Sequence, residues 1–224
     1  MLNNRYIRNI GTFTQDEQMA LFDKKVLVVG CGGLGGFIIE SLSRIGIKSI
    51  SIIDGGIFAD NNLNRQILSL EKNVGNSKVL EAQKRIRDID SSISVYAYNS
   101  YFDDSYESFP FNEFDIVIEC IDDIKLRLLL EKYCILNDVP LVHGAIDGEQ
   151  GQVACIDKKP LLEMLYRDFN GKRVNSTPFY TVAVIGAMQI SLAIKKLLNK
   201  EVKTRGFYYC DLKNFNMQYM PIDE

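Results

Sequence analysis

The stretch Val26-Leu27-Val28-Val29-Gly30-Cys31-Gly32-Gly33-Leu34-Gly35-Gly36 decides the fold of this 224-residue chain. A short apolar run, as a buried strand requires, passes into the GxGxxG spacing at Gly30, Gly32 and Gly35. Apolar residues at Ile38, Ile39, Leu42 and Ile45 then recur at helical spacing, and Gly46 ends that helix. Ser49 to Ile53 reads as a second strand, capped by Asp54. The unit is therefore strand, glycine loop, helix, strand. Each glycine removes a Cβ where the backbone must turn tightly, approach a phosphate, or press a helix against a strand. The loop N–H groups and the positive helix end can then hold an anion, and a nucleotide phosphate is the natural guest.

Asp54 comes about 20 residues after the loop, where a carboxylate can accept hydrogen bonds from both ribose hydroxyls. That pairing alone does not separate NAD from ATP. The next residues do: Asn62-Leu63-Asn64-Arg65-Gln66, then Gly75 and Lys78. A dehydrogenase wants an apolar trough for the nicotinamide here and has no obvious use for an arginine and a lysine. A site that cleaves a triphosphate does, because charge grows on the leaving pyrophosphate and cations stabilise it.

Composition excludes several classes. The chain is 46% hydrophobic and 25% charged, ordinary for a soluble globular protein, and long enough to bury a full core. A net charge of -3 with no polybasic tail argues against nucleic-acid binding by counterion release. Cys31, Cys120, Cys134, Cys155 and Cys210 are odd in number and never form a CxxC pair, so they read as reduced cytosolic thiols rather than disulfides or a zinc site. Met1 to Arg5 lacks a signal-peptide core, and the longest apolar stretch, Val182 to Leu198, holds Gln189 and breaks at Lys195-Lys196. It reads as too short and too charged for a bilayer, which predicts a soluble, cytoplasmic protein.

Along the chain, Arg5-Tyr6-Ile7-Arg8-Asn9 precedes a helix start at Thr14-Gln15-Asp16-Glu17. A charged helix is expected from about Asn76 to Ile89, mostly solvated, with Lys78 in its first turn aimed inward. Ser94 to Asn99 alternates as a strand would, and Phe102 to Phe114 reads as loop with a poor helix. Asp115 to Cys120 is a buried strand that ends in Ile121-Asp122-Asp123, and open α/β sheets bind ligands at the carboxyl ends of their strands. Asp122 is thereby placed to hold Mg²⁺ against phosphates, and Asp123 to cap a helix from Lys125 to Asn137. His143, the only histidine, sits in the strand Pro140 to Ala145 and reads as a hydrogen-bonded core residue rather than a catalytic base. A strand from Gln150 to Ile156, a crossing loop from Asp157 to Pro178, a core helix from Val182 to Leu198, and two strands, Phe207 to Cys210 and Asn216 to Met220, complete the chain. The fold class is α/β: a Rossmann-like sheet, mostly parallel with antiparallel strands at the C-terminus and helices on both faces.

Arg5-Tyr6-x-Arg8, the Gly30 to Gly36 loop, Asp54, Asn62-Leu63-Asn64-Arg65-Gln66, Lys78, Cys120-Ile121-Asp122 and Gly148-x-x-Gly151-Gln152-Val153 together resemble the ThiF/MoeB/HesA family of adenylyltransferases, relatives of the ubiquitin-activating enzymes. The resemblance runs over nearly the whole chain. It implies a single adenylation domain over 1–224, with an N-terminal arm and helix (1–24), a nucleotide-binding half (25–156), a crossing loop (157–180) and a C-terminal helix and strands (181–224). It further implies a homodimer that binds ATP and Mg²⁺ and adenylates the C-terminal glycine of a ubiquitin-like sulfur carrier ending in Gly-Gly. In that scheme the loop residues Gly30, Gly32, Gly33, Leu34 and Gly35 hold ATP with Gln66, Asp54 holds the ribose, and Asn62, Arg65 and Lys78 attend the phosphates. Asp122 binds Mg²⁺, and Arg8 reaches the ATP of the neighbouring subunit.

The chain departs from that family in places. Many relatives carry two zinc-binding CxxC pairs; none occurs here, so no zinc is expected. No cysteine lies between Asp157 and Tyr180, and Ser176 and Thr177 lack an adjacent base, so the reaction is expected to stop at the acyl adenylate. Asp123 stands where relatives often have Asn. Adenylation of a peptide or tRNA-linked carboxylate, and a non-catalytic nucleotide-binding scaffold, are the competing readings.

Overall fold

A computed structural model describes residues 3–167 and 176–222. An N-terminal 3₁₀ helix, Asn4–Asn9, leads into α1 (Gln15–Phe22). Thr14 opens α1 with the expected capping box: its side chain accepts from Glu17 N, and the Glu17 carboxylate accepts from Thr14 N.

The nucleotide-binding half comes next. It runs β1 (Lys25–Val29), α2 (Gly33–Ile45), β2 (Ser49–Ile53), α3 (Lys78–Ile89), β3 (Ser94–Tyr98), β4 (Ile116–Glu119), α4 (Ile124–Leu136) and β5 (Leu141–Asp147). After it come β6 (Gln150–Ile156), α5 (Leu162–Tyr166), α6 (Phe179–Leu197), β7 (Gly206–Asp211) and β8 (Asn216–Pro221). The strands form one sheet in the order β3-β2-β1-β4-β5-β6-β7-β8, parallel from β3 to β5 and antiparallel from β5 to β8. The chain runs from β1 outward to β3 and then returns to the other side of β1 as β4. Strand order therefore reverses between β1 and β4, where a crevice opens at the carboxyl ends.

Alternate strand residues feed two cores. Val26, Val28, Ile50, Ile52, Ile116 and Ile118 pack with α2, α3 and α6, while Leu27, Val29, Ile53, Val117 and Leu141 pack with α4, α5 and the Phe102–Phe111 segment. Helices thus cover both faces. Gly46 closes α2 in the left-handed conformation. Arg85 of α3 grips the buried Glu40 of α2 through two bonds of 2.7 and 2.8 Å, joining the helices on that face.

Several elements differ from the sequence reading. α3 starts at Lys78, two residues late, because Gly75 has φ +90° and Asn76 N bonds back to Asn73 O, which completes a turn before the helix begins. α6 starts at Phe179, after Pro178 as N-cap, so it is 19 residues and by length and composition is apolar enough to cross a membrane. Here Ile185, Gln189, Ala193 and their neighbours are buried, and the helix packs on α2, β5 and β6 as the central core helix. The crossing region is not all loop: α5 occupies Leu162–Tyr166, with Leu161 N and Leu162 N both bonded to the Glu131 carboxylate. Its remainder at 168–175 lies outside the described residues.

The arm is tied to the body by a buried charge. Tyr6 (2% exposed) donates to Asp90 at 2.6 Å, Arg5 pairs with the same carboxylate at 2.8 Å, and Lys48 bridges both Tyr6 and Asp90. Burial pushes the Asp90 carboxyl up, but the bonds from Lys48, Tyr6 and Ser92 outweigh it and hold it well below the usual range. A depressed carboxylate stabilises the fold above its unfolded pKa of about 3.9, and the stabilisation is lost as pH falls toward the folded value. Asp90→Asn is expected to lower the thermal midpoint at pH 7 and to differ much less from wild type near pH ~2; melts across that range check it.

Candidate active site

The carboxyl ends of β1, β2 and β4 open into a cavity of about 640 Å³. Gly30, directly after β1, has φ +98°, and a Cβ there would stand 2.5 Å from Cys120 O at the end of β4. Only glycine permits both that dihedral and that approach. Gly35 lies behind the cavity wall, where a Cβ would fall 1.9 Å from Gly30 O, so its role is to let α2 close on the loop. Gly30, Gly32, Gly33 and Leu34 line the cavity directly.

Asp54 lines the same cavity and is oriented by the backbone: Oδ2 accepts from Cys31 N and Oδ1 from Gly56 N, each at 2.6 Å. Tyr101 and Phe102 add an aromatic wall beside it. Lys78 enters from the first turn of α3, its own N–H bonded to Gly56 O, with the inward aim expected of it. Arg65 is held by Asn61 O and Asn64 Oδ1 at 2.8 and 2.9 Å and also lines the cavity. Asn62 is 8% exposed; its Oδ1 caps Ala59 N and its Nδ2 reaches Asn61, so besides lining the cavity it shapes the loop that presents Arg65.

Asp122 lines the cavity from the β4 end, and Asp123 caps α4 by accepting from Leu126 N at 3.0 Å. Both stand at the strand end where the sequence places them. Arg8 is the exception: it is exposed on the N-terminal 3₁₀ helix and does not line this cavity. Asp147 of β5 and Ser176-Thr177 also line it, and the latter pair is tied down by Gly148 N to Ser176 O and Asn64 Nδ2 to Thr177 O.

The cavity suits an anionic nucleotide. Gln66, 6% exposed, lies against Gly32, and its buried Oε1 has no hydrogen-bond partner among the described residues. Two cations, loop N–H groups and a helix N-terminus face one space. Among the described residues no three His, Cys, Asp or Glu side chains cluster as a metal cage. The Asp122 carboxylate on the lining would fit Mg²⁺, which takes one or two carboxylates and fills its shell with phosphate and water oxygens. Burial pushes the Cys31 thiol up, reinforced by Asp54, so it stays protonated and is no nucleophile.

A family model described as the ThiF family matches residues 5–224. The chain belongs to the ThiF family. It is 33% identical over 202 residues to the molybdopterin-synthase adenylyltransferase of Escherichia coli strain K12, covering 86% of this chain and 81% of that protein. It is 30% identical over 155 residues to the SAMP-activating enzyme E1 of Haloferax volcanii, covering 68% of this chain and 57% of that one. In shape it matches Escherichia coli MccB crystallised with ATP, at a TM-score of 0.84 and 21% identity, over 100% of this chain and 73% of that one. This ThiF-family chain is an adenylyltransferase.

Residues that sequence reasoning passed over also stand here. Glu119, Arg127 and Tyr166 surround the base of the Asp122 loop. One signal was visible: a glutamate inside the otherwise apolar run Ile116 to Cys120 must find a partner when buried.

Because Gly35 has no room for a methyl group, Gly35→Ala is expected to destabilise the protein by at least the ~1–3 kcal/mol usual for overpacking. It should also remove the rise in melting temperature given by ATP, which differential scanning fluorimetry would record.

Proposed function

We propose that this adenylyltransferase binds ATP in the cavity and activates the C-terminal glycine carboxylate of a small ubiquitin-like sulfur carrier, forming an acyl adenylate and releasing pyrophosphate. The convergence of Arg65 and Lys78 with the glycine loop and Asp122 in one cavity carries this reading. A terminal carboxylate, with pKa about 3.5, is ionised at neutral pH and needs no general base. Its oxygen attacks the α-phosphorus, the new P–O bond forms, and the bond to the bridging oxygen of pyrophosphate breaks with its electron pair. The protein's task is to orient the two reactants and to balance the charge that grows on the leaving group.

The residues divide that task. Asp54 holds the ribose, the glycine loop cradles the phosphates, and Arg65 and Lys78 neutralise the departing pyrophosphate. Asn62 and Gln66 complete the polar lining. Asp122 holds Mg²⁺, which when bound supplies further positive charge to the phosphates. His143 takes no part as a base: it is fully buried, and burial lowers its pKa below the ordinary value.

The enzyme works as a homodimer, with Arg8 supplied to the partner's ATP. Support for this comes from the arm: Tyr6 and Asn9 are tied inward, while Arg8 is left exposed and away from its own cavity. No cysteine lies between Asp157 and Tyr180 to accept the carrier, so the product is the acyl adenylate and a separate donor supplies sulfur.

ATP–pyrophosphate exchange, screened with candidate carriers ending in Gly-Gly, tests the reading. Exchange should need an intact tail, and Arg65→Ala or Asp122→Ala should lower it by about 100-fold or more while the fold melts normally. Silence with every carrier despite ATP binding would reject the carrier assignment. Mixing inactive Arg8→Ala with inactive Asp122→Ala should recover part of the activity in mixed dimers; no recovery would reject action across the interface.

A further inference from the structure

A charged network lies buried directly beneath Asp122. Glu119 and His143 are 0% exposed and Arg127 is 5% exposed. The Glu119 carboxylate accepts from Ile121 N, and Arg127 donates twice to Ile121 O, from Nε at 2.9 Å and Nη2 at 2.6 Å. Both backbone polar groups of the residue before Asp122 are thus held by side chains. The carbonyl that Arg127 grips belongs to the peptide joining Ile121 to Asp122, so the grip fixes the plane from which Asp122 departs. Arg127 and Glu119 also pair at 3.4 Å.

The network extends to α5. The Tyr166 hydroxyl meets Arg127 Nη1, Gln152 Nε2 at 3.2 Å and His143 Nε2 at 3.1 Å, and His143 Nδ1 meets Glu119. The directions are set at the two ends. Arg127 and the Gln152 amide nitrogen can only donate, so the Tyr166 oxygen accepts from both. At the other end, the Glu119 carboxylate accepts from His143 Nδ1–H.

Such a cluster is a poor way to gain stability. Buried ion pairs hardly recover their desolvation, and apolar residues of similar size often do as well or better. The cluster instead gives orientation, because each member has a single geometry in which all its bonds are made. It also links two spaces: a second cavity of about 380 Å³, lined by Arg127, Gln152 and Tyr166, shares Arg127, Ile146 and Asp147 with the nucleotide cavity.

We propose that Tyr166 and Arg127 are positioning residues for Asp122: the seat of α5 sets the guanidinium, and the guanidinium sets the Ile121–Asp122 peptide. This rests on the reading of Asp122 as the Mg²⁺ ligand. Seating of the crossing segment is thereby coupled to metal–phosphate geometry through hydrogen bonds rather than through the chain.

Calorimetric titration of ATP into the full-length protein, with Mg²⁺ and separately with EDTA, tests the coupling without any carrier. Wild type should bind more tightly with Mg²⁺, and Asp122→Asn should lose that gain. Tyr166→Phe, which removes one hydroxyl, and Arg127→Lys, which keeps the charge but not the double donation, should each reduce the gain on the order of tenfold; for Tyr166→Phe, whose side chain does not line the nucleotide cavity, affinity in EDTA should stay within about twofold of wild type. Adding Tyr166→Phe to Asp122→Asn should change nothing further. The inference is overturned if Tyr166→Phe and Arg127→Lys keep the full gain while Asp122→Asn loses it, or if Tyr166→Phe weakens binding equally with and without Mg²⁺, as general disruption of the cleft would. A full gain retained by Asp122→Asn would instead overturn the metal-ligand reading itself, and this inference with it.

Discussion

The close approach of two backbones at the carboxyl ends of β1 and β4 is the constraint on which the rest of the structure depends. Gly30 passes so near Cys120 O, and α2 so near Gly30 O, that a methyl group at Gly30 or Gly35 has nowhere to go. That approach brings the end of β4 beside the glycine loop, and with it Asp122 into the same cavity as Lys78 and Arg65. A looser crossing would leave the same residues on the same elements with no common space. The chemistry of the site is thus a consequence of backbone packing before it is a matter of side chains.

Around that crossing the fold uses polar groups to hold irregular segments. The arm before α1 buries Tyr6 and the segment after β6 buries Leu161 and Leu162. Each is also anchored by a buried carboxylate: Asp90 receives Tyr6, Lys48 and Arg5, and Glu131 receives the two N–H groups at the start of α5. Hydrogen bonds to an ionised group are stronger and more directional than apolar contacts. They suit segments whose orientation matters, Arg8 on one and Tyr166 on the other. Glu131 itself is pushed up by burial, against the two backbone bonds, so its grip on α5 is the more delicate of the two.

How much was legible in advance depends on the range of the interactions. The glycine loop, the capping box at Thr14 and the cap at Asp123 are local patterns, each complete within a few residues, and all stand where the sequence puts them. Element ends were harder. α3 begins late because Gly75 and Asn76 finish a turn with Asn73, and α6 begins early because Pro178, with its fixed φ and no N–H, fits the entry to a helix but not its interior. α5 escaped notice because one and a half turns of helix carry too few residues to show a period, and its start is anchored by Glu131 on another helix.

The sequence by itself determined the strand–loop–helix unit, the two-sided burial of the parallel strands, and the gathering of Asp54, Arg65, Lys78 and Asp122 at one end of the sheet, because glycine spacing, alternation and strand-end position are encoded locally. Only the tertiary structure decided that Glu119, Arg127, His143 and Tyr166 form one network beneath Asp122. Tyr166 meets His143 across 23 positions of chain and Arg127 across 39, and His143 meets Glu119 across 24. No periodicity spans such separations. They are set by which strands become neighbours and by where α5 comes to rest, and those are properties of the packed sheet rather than of any stretch of the chain.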